Sequence, residues 1–224
     1  MAGRVKTVID DVTAEATGRR RPAKRPYAAR MTPADRREQL LDAVLRVIAT
    51  RGVGKVSIDA VAKEAGVTRP VVYKLFDDSN ALLRASLVRE ERRATEQYLA
   101  AFPSAAAGRA LPELVAELYA GLLLTFERSP DLWRAVFELS DSTTTVFRAR
   151  LERGRAAAAG RIERMLTEHP DADVEDPSLA ARMVFAVIVE SGRLLLAEDD
   201  RYPRERLIAS ADRIAALVGG TTPA

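Results

Sequence analysis

A chain of 224 residues, 47% of them hydrophobic, is long enough and apolar enough to bury a sizeable core in one or two domains. It has no cysteine and a single histidine, His169, which excludes a disulfide framework, a cysteine-ligated metal and a thiol nucleophile. The net charge of +3 is unevenly spread: Arg19, Arg20, Arg21, Lys24, Arg25, Arg30, Arg36 and Arg37 face one acid, Asp35, so residues 19–37 carry +7 and the rest −4. A basic arm of this kind points to a polyanion partner or, more blandly, to a solubilising tail.

Residues 1–31 read as a disordered basic arm, with a Pro/Arg-rich "RRRPAKRP" and little apolar periodicity. They hold no apolar stretch of signal-peptide length. Later apolar runs are interrupted by Glu113 and Glu117, or by Glu190 and Arg193, so no membrane span and no membrane partner is expected. The expectation is a soluble cytoplasmic protein.

The first helix begins at a Thr32 cap with Pro33 at its first position and ends at Gly52. Leu40, Leu41, Val44, Leu45, Val47 and Ile48 recur on it at helical spacing. "VSIDAVAKEAG" predicts a short second helix capped by Ser57 and closed by a turn at Gly66. Thr68 then opens a third helix of about seven residues, with Pro70 in its first turn. A longer fourth helix follows, capped by Asp78 or Ser79 and ending near Pro103. Four further helical segments run to Pro130, through "PDLWRAVFELS", to Pro170, and from Pro177 to about Ala197. A single last helix is expected over about 203–218, stopping at Gly219 and Gly220. The fold class is all-α: a three-helix N-terminal unit at 32–78, a larger helical domain at 79–218 entered by a connecting helix at 79–101, and a flexible tail at 219–224.

Two short helices joined by a tight glycine turn form a helix-turn-helix. Val67, Val72 and Phe76 pack inward in this reading, which leaves Arg69, Pro70, Val71, Tyr73 and Lys74 facing out. So short a helix cannot hold itself together and must be held by packing. Its exposed face suits a DNA major groove: Arg69 for a guanine edge, Val71 and Pro70 for a thymine methyl, Tyr73 and Lys74 for phosphates, and Thr68 with the helix N-terminus for a further phosphate. The bland alternative is a helical hairpin with a solvated face.

This stretch resembles the DNA-binding domain of TetR-type transcriptional regulators. The matching residues are Arg51-Gly52, Ser57, Ala65-Gly66-Val67 and the Tyr73-Lys74-Leu75-Phe76 end of the recognition helix, over roughly Thr32 to Leu87. The resemblance implies that Ser57 also sits at the DNA. It departs in one place: where the family carries a lysine at the start of the fourth helix, this chain has Ser79, after Asp77 and Asp78. That lysine helps hold a phosphate, so the basic arm is expected to compensate.

The resemblance further implies a homodimer formed by the last two long helices, about 177–197 and 203–218, with Gly192 allowing close approach. It implies a near-palindromic operator and a small-molecule effector that binds in the C-terminal domain and releases the protein from DNA. Tyr119, Leu123, Phe126, Leu132, Trp133, Val136, Phe137, Phe147, Met165 and Phe185 are the candidate pocket lining; each serves equally as plain core. Arg148, Arg150 and Glu190 are possible polar anchors. An apolar or amphipathic effector is expected.

Enzyme chemistry finds little support. His169 stands beside Pro170 at a helix end, where a dipole partner or an exposed residue is the ordinary reading. The acidic "EHPDADVEDP" lacks the glycine and final glutamate of a calcium loop, so no metal or cofactor is expected. A ligand-responsive DNA-binding repressor is therefore the leading reading. The alternative is a helical carrier or interaction protein whose arm binds a membrane or acidic partner. Deleting residues 1–30 is expected to weaken DNA binding and flatten its salt dependence, measured by titrating labelled duplex at several salt concentrations; unchanged affinity and slope would remove the arm from the interface.

Overall fold

A computed structural model describes residues 31–104, 108–141, 145–170, 172–198 and 201–216, and their side chains except at 140, 141, 145–148 and 151. Arg19, Arg20, Arg21, Lys24, Arg25 and Arg30 lie outside the described residues. The chain from Pro33 onward is one compact unit. Its helices, in order, are α1 (Pro33–Arg51), α2 (Ile58–Glu64), α3 (Arg69–Tyr73), α4 (Ser79–Ala100), α5 (Leu111–Arg128), α6 (Pro130–Asp141), α7 (Thr145–Thr167), α8 (Pro177–Leu195), α9 (Arg204–Ile208) and α10 (Ala211–Ala215), with a single 3-10 turn at Val53–Lys55. There is no strand among the described residues, and no helix there is long and apolar enough to cross a membrane.

The helix starts follow from side-chain chemistry. Ser57 Oγ accepts the Ala60 N–H at 3.1 Å, Asp78 Oδ1 accepts that of Ala81 at 2.6 Å, and Asp176 Oδ1 that of Leu179 at 2.9 Å. Each satisfies an amide that the first helical turn leaves without a partner. Gly52 stops α1 because it adopts φ 85°, a left-handed conformation that costs glycine nothing.

Leu40, Leu41, Val44, Val47 and Ile48 form the buried stripe of α1, which packs on α2, α4 and α6. α5 is the central post, with Leu114, Val115, Leu118, Leu122 and Leu123 fully buried and α6, α8, α9 and α10 around it. Each such leucine contributes on the order of 2 kcal/mol through burial. α7 lies along α8.

Two charged side chains are buried among the described residues, Arg89 and Glu90. The Arg89 side chain on α4 is only 7% exposed. Its Nη1 lies 2.8 Å from Glu38 Oε2 and its Nη2 2.8 Å from Asp42 Oδ1, both on α1, while Nε donates to Glu90 Oε1 at 2.6 Å. Burial pulls the guanidinium down, but the Glu38, Glu90 and Asp42 carboxylates outweigh it and hold it above its ordinary value. The cluster pins α4 to the first helix of the N-terminal unit.

Three expectations are corrected here. The last helix is two short ones, because the ladder breaks at Ala209–Ser210. The Leu207 carbonyl takes the Ser210 N–H at 3.0 Å and has the Tyr119 hydroxyl 3.4 Å away, so it does not continue an i to i+4 ladder. α3 has five residues, not seven, since Lys74 already caps it. His169 is buried at 5% exposure, with Nε2 2.8 Å from the Arg109 carbonyl oxygen, so it joins the end of α7 to the chain entering α5.

Gly192 of α8 also has a different role. A Cβ there would sit 2.6 Å from Phe137 Cζ and 2.7 Å from Phe126 Cε2. The close approach is to the chain's own aromatic rings. Gly192→Ala is therefore expected to destabilise the fold by about 1–3 kcal/mol through overpacking, read as a lower thermal midpoint by circular dichroism; an unchanged midpoint would mean the rings move aside freely.

Candidate nucleic-acid interface and effector cavity

The helix-turn-helix is assembled by packing. Val61 and Val72 are wholly buried and Phe76 is 5% exposed, under the guanidinium of Arg37 at 4.6 Å from the ring centroid. Gly66 adopts φ 65° in the turn, and the Val67 N–H donates to the Ala62 carbonyl at 2.9 Å. Gln39 Nε2 on α1 donates to the Ala65 carbonyl at 3.0 Å, which fixes the turn against the first helix.

This leaves Thr68, Arg69, Pro70, Tyr73 and Lys74 exposed on one outward face, with Val71 half-buried among them. Thr68 stands at the cap position of α3 but its side chain makes no capping hydrogen bond. The Ser57 hydroxyl, in contrast, is engaged in capping α2. Arg69 is held: its Nε lies 2.8 Å from Asp59 Oδ1 on α2. At the start of α4, Asp78 accepts an amide and Ser79 follows as the first helical residue. The face therefore offers two cations, a hydroxyl, a phenol and apolar surface, which is the chemistry that phosphates and base edges take.

A second feature lies in the larger half. A cavity of about 570 Å³ opens among α4, α6, α7 and α8, with Phe126 of α5 in its wall. Phe126, Trp133, Val136, Phe137 and Phe185, all expected on sequence, line it. Phe126 and Trp133 rings are 4.6 Å apart, and Phe126 meets Phe137 edge-on at 5.5 Å. The Trp133 indole N–H donates to Gln97 Oε1 at 2.9 Å, which fixes the ring's orientation.

Four expected lining residues are elsewhere. Tyr119 is 1% exposed, with its hydroxyl 3.0 Å from Ser191 Oγ; burial pushes that hydroxyl up, against a smaller opposing pull from Ser191. Leu123 is fully buried in the α5 core, and Met165 packs against the core from α7. Leu132 lines a smaller polar recess with Arg93 and Gln97. Phe147 and Arg148 fall outside the described side chains. Glu190 is exposed on α8 and is not in the wall.

Sequence reasoning missed two walls. On α4, Leu87, Glu90, Glu91, Ala94, Tyr98 and Leu99 line the cavity. They repeat at helical spacing, but the glutamates and neighbouring arginines make the stretch look solvated. Tyr98 is held in place by its hydroxyl, 2.9 Å from the Ala158 carbonyl oxygen, and burial raises its pKa strongly. On α7, Arg153, Arg155, Arg161 and Arg164 reach the cavity beside Arg150, the one arginine there that was expected as a polar anchor. Arg150 pairs with Glu91, and Arg161 lies over the Phe102 ring at 5.3 Å. The cavity thus joins an apolar interior to a cationic side.

Glu90 connects the two features. It lines the cavity, is 4% exposed, and shares Arg89 with Glu38 and Asp42 of α1.

Comparison with known proteins agrees with both halves. Residues 40–86 match the bacterial regulatory proteins of the tetR family, and residues 110–216 match the tetracyclin repressor-like C-terminal domain. The HTH-type transcriptional activator FasR of Mycolicibacterium smegmatis is 26% identical over 204 residues, spanning 91% of this chain and 92% of FasR. A TetR-like transcriptional regulator from Rhodococcus sp. RHA1 superposes with a TM-score of 0.63 at 23% identity, over 84% of this chain and 96% of that one. The transcriptional regulator FadR from Bacillus subtilis, solved in complex with stearoyl-CoA, superposes with a TM-score of 0.62 at 20% identity, over 82% and 98%. The N-terminal helix-turn-helix and the helical C-terminal domain are both those of one lineage: the chain belongs to the tetR family of bacterial regulatory proteins and is a ligand-responsive DNA-binding transcriptional regulator.

Proposed function

We propose that this protein is a cytoplasmic homodimeric repressor that binds a near-palindromic operator and leaves it when an amphipathic anion fills the cavity. The observation that carries the effector class is the cavity's make-up. Its aromatic and aliphatic interior takes an apolar tail, and the α7 arginines take an anionic head. The volume of about 570 Å³ lies within the usual range for a small-molecule site. FadR from Bacillus subtilis, bound to stearoyl-CoA, makes that compound the first probe.

The dimer reading is supported by α8. Leu179 and Met183 are 55% and 45% exposed, and exposed Ala186 continues their stripe. An apolar stripe one helix turn apart is what a second copy covers. A twofold pair presents two α3 helices to successive major grooves, about 34 Å apart. On α3, Arg69 reads a guanine edge, Pro70 and Val71 face the thymine methyl, and Tyr73, Lys74 and Thr68 meet phosphates. The basic arm follows the flanking backbone.

Release runs through α4 in this reading. An occupant that presses on Glu90 and Leu87 shifts α4, and Arg89 transmits the shift to α1 and so to α3. A ligand shifts the equilibrium only by its differential affinity for the two states.

The reading is tested by selecting sites from random duplex DNA, then adding stearoyl-CoA. A twofold-symmetric site and quenching of Trp133, the sole tryptophan, are the expected outcomes. Salt-sensitive binding with no enriched site would overturn the regulator reading. A promoter assay decides the sign, with repression expected, although FasR carries the name of an activator. Glu90→Gln, which leaves Arg89 its Glu38 and Asp42 partners, is expected to lower the thermal midpoint and, in the protein that still binds the selected site, to lose most of the effector-driven release, a coupling of order 1–3 kcal/mol in this class of system. Undiminished release in that variant would exclude the Arg89 route.

A further inference from the structure

The Asp59–Arg69 pair stands where electrostatics gives it a reason. Arg69 is the first residue of α3, and a helix start is a poor place for a cation because the dipole is positive there. Asp59 lies in the first turn of α2, where an acid is favoured. The Gly66 turn brings the two helix starts side by side, and Asp59 Oδ1 reaches Arg69 Nε at 2.8 Å. The side chains are 65% and 59% exposed, so the pair adds little to folding stability.

What it fixes is geometry. A guanidinium carries five N–H donors in a planar fork. Engaging Nε leaves both Nη groups, and Arg69 makes no other hydrogen bond or ion pair among the described residues. Two adjacent donors are what the O6 and N7 acceptors of guanine accept together. A long arginine held at Nε also gives up less rotamer freedom on meeting a base than a free one does.

Resting on the regulator reading above, we infer that Asp59 is a specificity-determining positioning residue. It holds Arg69 by Nε, so that both Nη groups face a guanine at one symmetric position of each half-site. Asp59 touches no base itself. It turns a cation that any phosphate attracts into one that discriminates among base pairs.

The test is site selection from random duplex DNA with full-length wild type, Arg69→Ala, Asp59→Asn and Asp59→Glu, followed by affinities for the selected site and for the same site with that guanine changed to adenine. Wild type is expected to enrich a symmetric guanine, and Arg69→Ala to lose its preference by about tenfold. Asp59→Asn is expected to lose about three- to tenfold of the guanine preference while binding unrelated DNA as well as or better than wild type. Asp59→Glu, which keeps the anionic carboxylate that Asn lacks, is expected to restore part of it. Asp59 is exposed, so thermal midpoints should match. If Asp59→Asn tightens binding to every sequence alike and keeps the wild-type guanine preference, Asp59 is only a repulsive charge and the inference is overturned. It is also overturned if Arg69→Ala keeps the preference. No enriched site for wild type overturns the regulator reading itself, and is distinguishable from both.

Discussion

The constraint on which the rest depends is the cost of burying Arg89. A guanidinium 7% exposed is tolerated only with carboxylates at hydrogen-bonding distance, and these come from two helices that are far apart in sequence. Glu38 and Asp42 fix the side of α1 that faces α4; Glu90 completes the neutralisation of Arg89 from α4 itself. Once α1 and α4 are locked, α2 and α3 have one place to pack, against the Leu40–Ile48 stripe. The orientation of the recognition face is thus set by a charge cluster on its far side. The same cluster includes a residue of the cavity wall, Glu90.

The cavity has its own constraint. α8 approaches the aromatic group closely only because Gly192 has no side chain. Phe126, Phe137 and Trp133 gather against that point and stand as one rigid wall. The opposite wall, from α7, carries arginines. Long cationic side chains spread their stems over apolar surface while their heads stay wet. A cavity built this way is not filled by its own lining, because one wall is held off by close-packed rings and the other by charge. This is the physical basis for expecting a two-ended ligand.

The recognition helix lies at the other extreme. Five residues have no independent helical stability, so α3 exists because Val72 and Phe76 are buried beneath it and Gln39 holds the preceding turn. All the interior contacts come from one side. The opposite side is left to Thr68, Arg69, Pro70, Tyr73 and Lys74, with nothing structural for them to do. Among the described residues, Asp59 holds one of these side chains, Arg69, by an ion pair.

Much of this was legible in the sequence because it is local. The Ser57 and Asp78 caps, the Gly52 and Gly66 turns, the Pro33 start and the apolar period of α1 follow from backbone chemistry within a few residues, and the family resemblance runs through those same positions. The sequence also named Phe126, Trp133, Val136, Phe137 and Phe185 as lining, since aromatic residues are few and were clustered. It misassigned Tyr119, Leu123, Leu132 and Met165, because burial in α5, α6 or α7 looks the same as lining until the neighbours are placed. It gave Gly192 to a dimer contact and ran α9 and α10 together, since a carbonyl claimed by Tyr119, distant in sequence, has no local signature. What only the tertiary structure decided are the long-range pairings: Arg89 with Glu38 and Asp42, Asp59 with Arg69, the α4 stripe hidden among charges, and the α7 arginines against it. Local propensity sets where helices begin and end; which charges are neutralised, and which face is left free, is fixed only when the helices meet.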